Sequence, residues 1–441
     1  MGSIPIEDSQ NNIIFMDAII LKSFLPEIFF SLCILGQLIV NSRLITNLTY
    51  NYPVIDKEVF VQTFFILLCL LLLLSNTKIE GYLSNFLFLN DIGSNLLKCF
   101  LIVSCIMILS TVSRGMIVQN LNFFEFFVIF LLSVLALLLL VSSYDFISAY
   151  LVIEMQALCF YVLASFTRNS AFSTEAGLKY FISGSFISGL LLFGCSLLYG
   201  TLGTLNFNNL SLLLSFPLDA EFDGLKNMVL VGVLFIFISL LFKIAAAPFH
   251  FWSPDVYEGS PLSTTVIFSV VPKVIIFSFL IKCVNSFSLI VFEFQEFFIF
   301  IGLVSVFVGT FFAIRQKRLK RLIIYSSIAQ VGFLVAALST NSLDGFVSIY
   351  FFLLIYILTS ILIWIYITQF YSSQKEVNLF ELKNFSSIFL SNLSSYFKSD
   401  KIASVSFILI FFSIAGIPPL SGFLAKIFIL FGLINSDFLV S

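Results

Sequence analysis

Long apolar runs recur along the whole chain, and they constrain the fold more than any other feature of the sequence. A helix needs about 20 predominantly apolar residues to cross the hydrocarbon core of a bilayer. Of the 441 residues, 60% are hydrophobic and only 10% are charged. Because backbone groups inside lipid must pair within their own segment or barrel, these runs predict an all-α polytopic membrane bundle of about twelve spanning helices.

The predicted spans follow one another with mostly short polar connections. By residue number they are 19–40, 59–74, 93–112, 123–141, 144–166, 175–199, 228–247, 263–284, 287–314, 322–338, 345–371 and 402–433. Pro248 breaks the seventh span, and Pro418 and Pro419 break the twelfth, because proline lacks a backbone donor and clashes with the preceding turn. Broken helices at membrane depth are typical of transporters built from inverted repeats.

Basic residues in the connections predict the orientation. Most of them follow odd-numbered spans, including the cluster at 315–321, which we interpret as a topology determinant facing the lipid headgroups. Lys98, at the start of the third span, is counted with the few on the opposite side. The positive-inside rule then places the odd-numbered loops in the matrix or cytoplasm and the N-terminus outside.

Several classes of function are excluded by composition. A net charge of −2 gives no electrostatic basis for binding nucleic acid. The seven cysteines lie mostly in apolar runs, and a single histidine cannot complete a Cys/His site, so neither a metal site nor haem or iron–sulfur ligation is predicted. The chain also lacks a dinucleotide-binding glycine motif and a P-loop. We therefore expect no cofactor.

Ionisable residues inside the spans are functional candidates, because each costs about 2.5–3.5 kcal/mol to insert. They are Glu154 in the fifth span, Lys243 in the seventh, Lys273 in the eighth and Lys426 in the twelfth. Burial disfavours the charged form of an amine, so a buried lysine without a partner is a candidate proton carrier. The alternative is that Glu154 and one lysine form an ion pair that fixes helix packing, although three lysines cannot all pair with one glutamate.

Three further residues are weaker candidates. Lys179 lies one turn into the sixth span and could reach the interface as an anchor. His250 follows the break in the seventh span and could shuttle protons or cap a backbone carbonyl. Glu27, beside Pro26, lies near the start of the first span and could be solvated.

Four stretches in the correct order resemble one known family. They are LLFKIAAAPFHFWSPDVYEGSP, YLVIEMQALCFYVLASF, FSTEAGLKYFISGSFISGLLLFGCSLLYG and FSIAGIPPLSGFLAKIF. Together they resemble the subunit 2 family of NADH dehydrogenase, in particular its plant-type mitochondrial members. This family is one of three antiporter-like types in the membrane arm of respiratory complex I, and the resemblance covers residues 123–433.

The resemblance implies a fold and a set of roles. It implies an N-terminal three-helix region (1–122), a first five-helix repeat (123–285) and a second repeat (286–441), with helices 7 and 12 broken. Glu154 is implied to pair with Lys243, and Lys273 and Lys426 to be the central and terminal lysines. The family has two more helices after the twelfth, so the second repeat is expected to be incomplete and a separate polypeptide to supply or replace them.

The implied function is proton translocation as a core subunit of complex I, without a redox centre on this chain. The implied surroundings are the other membrane-arm subunits and lipids of the mitochondrial inner membrane, with the N-terminus on the intermembrane-space side. Two alternatives stay open: a subunit of a free-standing cation/proton antiporter, and a structural subunit that only tethers its neighbours.

Overall fold

The computed structural model describes residues 22–46, 56–77, 81–83, 87–119, 124–215, 223–288, 290–377, 390 and 401–435. These residues are almost entirely helical, with one two-stranded antiparallel sheet. Within them, eleven helices are long and apolar enough to cross a membrane, and two shorter apolar helices follow. The predicted all-α polytopic fold is confirmed.

Helices and strands are numbered here in chain order. They are α1 (Leu25–Thr46), α2 (Asp56–Asn76), β1 (Gly81–Leu83), β2 (Phe88–Asn90), α3 (Ile92–Gln119), α4 (Phe124–Ser142), α5 (Phe146–Ala164), α6 (Ala171–Leu202), α7 (Phe207–Ser215), α8 (Asp223–Lys243), α9 (Trp252–Gly259), α10 (Leu262–Ser286), α11 (Gln295–Ile314), α12 (Leu319–Leu338), α13 (Leu343–Val377), α14 (Lys401–Ala415) and α15 (Ser421–Asn435). A 3₁₀ turn, Val291–Phe294, precedes α11.

Eleven predicted spans correspond to single helices, and the twelfth corresponds to the pair α14 and α15 on either side of its prolines. The predicted spans do not include the β1–β2 hairpin or the short helices α7 and α9, which lie in the connections between spans. The seventh span, predicted to reach residue 247, ends at Lys243. Its end is set by Ala245, whose φ of 60° lies in the left-handed region and cannot continue the helix.

Residues 1–106 and 122–159 form one compact unit. In its described part, α1 packs against α2 and α4, and apolar side chains such as Phe30, Leu67 and Phe130 are fully buried. The β-hairpin is attached to this unit through the carbonyl of Leu87, which accepts a hydrogen bond from the Tyr144 N–H at 2.9 Å.

Residues 107–121 and 160–441 form the second compact unit. Its central helix is α10, whose membrane-length segment is 100% buried and which contacts α8, α12 and α13. Hydropathy alone does not predict this burial, because α2 is at least as apolar and only 28% of its span is buried. Close packing of α6 on α8 needs small residues: a Cβ added at Gly194 would lie 2.8 Å from the Gly232 carbonyl oxygen.

Candidate functional site

Pro272 leaves a gap in the hydrogen bonding of α10, and two tyrosines donate beside it. Proline has no N–H, so the carbonyl of Phe268, four residues earlier, loses its helical partner. The Tyr257 hydroxyl donates to this carbonyl at 3.2 Å, and the Tyr356 hydroxyl donates to the Ser269 carbonyl at 2.7 Å. Burial, with a smaller contribution from Tyr356, raises the pKa of Tyr257 well above its ordinary value, so this hydroxyl stays a donor.

Lys273 lies directly after this proline and is only 3% exposed. Its ammonium donates to Ser327 Oγ at 2.8 Å and lies 5.8 Å from the centroid of the Tyr356 ring. The Ser327 hydroxyl itself donates to the Ile324 carbonyl at 2.7 Å, which leaves its oxygen free to accept from the lysine. Within the described part of the chain Lys273 forms no ion pair. Its charge is therefore held by a neutral hydroxyl and a ring face, and giving up its proton breaks no salt bridge.

The first helix break follows Lys243 at the end of α8. Ala245 takes the left-handed conformation there, and Pro248 follows three residues later. The indole N–H of Trp252, in α9, donates to the Phe242 carbonyl at 3.0 Å, so a side chain satisfies a backbone group that the break exposes. Lys243 is partly exposed and lies where the partial negative charge of the helix end favours a cation.

The second helix break separates α14 from α15 and has the same design. Gly416 takes the left-handed conformation with a φ of 85°, and Pro419 follows three residues later. Here the ammonium of Lys426 donates to the last carbonyls of α14, those of Ile414 at 2.9 Å and Ala415 at 3.0 Å. Lys426 therefore both caps the broken helix and carries the charge at this site.

Glu154 lies in the middle of α5 and is partly buried. One of its carboxylate oxygens, Oε2, is buried and has no hydrogen-bond partner among the described residues. An orphaned buried acceptor costs free energy until it gains a proton, a water or a cation. The expected pairing of Glu154 with Lys243 stays a prediction.

His250 and Lys179, two of the three weaker candidates, occupy different surroundings. His250 is buried, and within the described residues its Nδ1 has no hydrogen-bond partner. Burial lowers the pKa of His250, against an opposing backbone hydrogen bond at Pro248, so the imidazole is neutral near pH 7. Lys179 is 46% exposed and bridges Glu175 at 2.8 Å and Asp255 at 3.0 Å.

The basic cluster at 315–321 is not only a lipid-facing determinant of topology, as the sequence led us to expect. Arg318 and Arg321 form ion pairs with the two carboxylate oxygens of the buried Glu258, and Arg321 also contacts Asp255 at 3.0 Å. Lys320 is buried, and its ammonium donates to the carbonyl of Ser260 at 3.0 Å. These contacts fix the short helix α9 to the start of α12.

A second buried charged cluster lies in the first unit, and the sequence reading missed it. Lys98 was assigned to a loop, but it lies inside α3 and is fully buried. Its ammonium bonds to the carboxylate of Glu27 and to Asn90 Oδ1, while the Asn90 amide donates to the Ser23 carbonyl at 2.9 Å. The position of Lys98 inside the predicted third span, 93–112, was the sequence feature that could have indicated its burial.

No three His, Cys, Asp or Glu side chains lie close enough together to hold a metal ion, as far as the described residues go. The second unit offers amines, hydroxyls and carboxylates. These groups can bind, hold and pass on protons.

Comparisons with known proteins place this geometry in context. Residues 143–440 match the family model described as NADH:quinone oxidoreductase/Mrp antiporter, TM. NADH-ubiquinone oxidoreductase chain 2 of Marchantia polymorpha is 35% identical over 410 residues, which cover 92% of this chain and 81% of that protein. NADH-quinone oxidoreductase subunit N of Pelagibacter ubique is 36% identical over 416 residues, covering 93% and 82%.

Two solved structures share the fold. Respiratory complex I from Thermus thermophilus contains a chain that matches with a TM-score of 0.72 at 24% identity, over 93% of this chain and 83% of that one. The Mrp complex from Dietzia contains one that matches with a TM-score of 0.73 at 18% identity, over 95% and 75%. At these identities the likeness concerns the fold alone.

Proposed function

The chain belongs to the NADH:quinone oxidoreductase/Mrp antiporter family of membrane proteins, and we propose that it works as the proton-translocating subunit 2 of respiratory complex I. The named relatives confirm the resemblance to subunit 2 that the four sequence stretches indicated. In this proposal the chain carries no redox centre and handles neither NADH nor quinone. Redox energy released elsewhere in the complex drives protons through it.

The proposed proton carriers are Glu154, Lys243, Lys273 and Lys426. Opening of the Glu154–Lys243 pair would leave Lys243 without its counter-charge and push a proton towards Lys273, and from there to Lys426. His250, which is neutral near pH 7, and Lys179, which is held in surface ion pairs, have secondary roles at most. The free energy needed to move a proton against the membrane potential is large, since moving one charge costs about 2.3 kcal/mol per 100 mV.

One observation carries the proposal. Lys273 is buried in the central helix of its unit, next to a proline, and is held by the hydroxyl of Ser327 rather than by a carboxylate. A lysine with a purely structural role is expected to have a paired counter-charge, because a buried unpaired charge is expensive. The charge of Lys273 is instead held by neutral groups, so the loss of its proton breaks no ion pair among the described residues.

The test is Lys273→Met in the assembled complex, reconstituted in sealed vesicles. We expect the variant complex to assemble and the number of protons translocated per NADH oxidised to fall. The matched control is Lys317→Met, an exposed lysine of the basic cluster, which should leave the ratio unchanged. An unchanged ratio in Lys273→Met overturns the proposal.

Two alternatives have their own tests. The family model covers Mrp antiporters as well, so a subunit of a free-standing cation/proton antiporter is the second candidate. Native electrophoresis separates the two, because an antiporter subunit migrates apart from NADH-oxidising activity. A purely tethering subunit is excluded if Glu154→Gln assembles normally but loses pumping.

The location and the internal repeats are also part of the proposal. We propose a mitochondrial inner-membrane location in contact with the other membrane-arm subunits. The distribution of loop charges supports an N-terminus on the intermembrane-space side. The two helix breaks support repeats at 123–285 and 286–441, since a left-handed residue is followed three positions later by proline in both.

A further inference from the structure

Lys320, the second residue of α12, is buried although it lies at a helix end. It is only 4% exposed, whereas Lys317, one turn earlier, is exposed. A long lysine side chain at a helix end can normally extend its ammonium to the interface. Lys320 instead turns inward and donates to the Ser260 carbonyl at 3.0 Å.

The ion pairs around Lys320 balance without it. Both carboxylate oxygens of Glu258 are taken by Arg318 and Arg321, and Arg321 also serves Asp255. Two carboxylates and two guanidinium groups therefore cancel. The extension of this network through Lys179 adds Glu175, which cancels Lys179. The charge of Lys320 is left without a counter-charge of its own in this network.

Lys320 lies on the same face of α12 as the residue that holds Lys273. Ser327, which holds the Lys273 ammonium, lies seven residues further on, which is two turns on the same helix face and about 10 Å along the axis. Ile323 and Ile324, one turn from Lys320, line a small cavity that Ser327 also lines. The cavity thus lies beside the two turns of α12 that separate Lys320 from Ser327.

The cavity can hold water. The space open to the centre of a water molecule is about 20 Å³, and a single water needs about 10–15 Å³ by the same measure. Most of its surface is apolar, and its lining residues also carry groups that can bind a water. They are the hydroxyls of Tyr257, Ser269, Ser326, Ser327, Tyr356, Thr359 and Ser360 and the amide of Gln330.

We propose that Lys320 is the proton-loading site for Lys273 on the positively charged side of the protein. The ammonium of Lys320 releases one proton, which passes through water in the cavity to the neutral amine of Lys273. Lys320 is left as a neutral amine and takes up its next proton from the adjacent aqueous surface. This inference rests on the proposed function, in which Lys273 carries protons. The competing structural role is that Lys320 only neutralises the C-terminal end of α9 at Ser260.

Lys320→Arg separates the two roles in the assembled complex. Arginine keeps the positive charge and can donate to the Ser260 carbonyl, but it does not release its proton at any accessible pH. A loading site predicts that Lys320→Arg and Lys320→Met both slow proton translocation by about a hundredfold, the low end for a positioned acid. A structural role predicts that Lys320→Arg pumps like the unmodified complex. Lys317→Arg is the matched control and should pump normally.

A second variant keeps the test decisive if Lys320→Arg fails to assemble. Lys320→His carries an imidazole with an ordinary pKa near 6.5, so it can load protons below that pH and cannot above it. The loading role predicts a pumping rate that falls between pH 6 and pH 8 more steeply than that of the unmodified complex. A rate with the unmodified pH dependence overturns the inference.

The outcome of Lys273→Met tells the two proposals apart. Normal pumping by Lys273→Met overturns the proposed function itself. Lost pumping in Lys273→Met together with normal pumping in Lys320→Arg overturns the loading role of Lys320 alone.

Discussion

Each of the two compact units buries a lysine, and the two lysines differ in the groups that stabilise the charge. In the first unit, Lys98 is matched by the carboxylate of Glu27 and by the side-chain oxygen of Asn90. In the second unit, Lys273 has the hydroxyl of Ser327 and the face of Tyr356. A charge with a buried counter-charge is fixed, because removing either partner strands the other. A charge held by neutral groups can be given up.

The helices around the two lysines differ in the same sense. The part of α3 that carries Lys98 contains no proline, and the lysine projects from a regular helix. In α10, Pro272 precedes Lys273. The Phe268 carbonyl, which the proline leaves without a helical partner, accepts a hydrogen bond from the Tyr257 hydroxyl of α9. The arrangement at Lys98 fits an ion pair that stabilises its unit. The arrangement at Lys273 fits a lysine that gains and loses a proton. The predictions below test this contrast.

The largest effect is expected for Lys98→Met. The substitution leaves the carboxylate of Glu27 buried without its cation, a loss of about 3–5 kcal/mol for a broken buried pair. We expect little assembled complex on native electrophoresis. The double variant Glu27→Gln with Lys98→Met removes both charges and should recover much of the assembly. If the single variant assembles at the normal level and loses pumping instead, Lys98 belongs with Lys273 and the contrast fails.

The spans could be predicted from the sequence because their cause is local. About 20 apolar residues in a row form a helix in lipid whatever surrounds them. The ends were less predictable: the first span, predicted at 19–40, is Leu25–Thr46, and the ninth, predicted from residue 287, begins as α11 at Gln295. The hairpin could not be predicted, because its strands of three residues each depend on contacts such as that between Leu87 and Tyr144. The helix α9 is held by Trp252 and by distant arginines.

The site was predictable only in part, for a related reason. Lys273 and Lys426 stand out because a charge in an apolar run is expensive wherever it lies. Their partners do not stand out: Ser327 lies 54 residues from Lys273 along the chain, and Tyr356 lies 87 residues from the Ser269 carbonyl that it serves. Lys98 was misassigned because a lysine near the end of a span reads as a loop residue until its carboxylate partner, 71 residues away, is found.

An intermediate effect is expected for Ser327→Ala. It removes the acceptor of the Lys273 ammonium, and a hydrogen bond to a charged group contributes about 1.5–3 kcal/mol. Because the charged form of Lys273 loses support, we expect proton translocation per NADH to fall while the complex still assembles. Ser278→Ala is the matched control, because its buried hydroxyl donates to the Ile275 carbonyl of the same helix. Equal effects of the two variants would show that Ser327 matters only for packing.

The smallest effect is expected for Tyr257→Phe, which concerns the proline kink rather than the lysine. The substitution removes the hydroxyl that serves the Phe268 carbonyl at 3.2 Å and leaves that buried acceptor unpaired, at a cost of about 1–3 kcal/mol, with the lower end expected for so long a bond. We expect the assembled complex to lose activity at a lower temperature in thermal inactivation, while pumping below that temperature is retained. A normal thermal profile combined with weakened pumping would mean that Tyr257, which also lines the cavity, takes part in proton transfer. Tyr257 at the proline kink and Lys273 would then act together in proton transfer. The proline that distinguishes α10 from α3 would then serve proton transfer as well as the local structure.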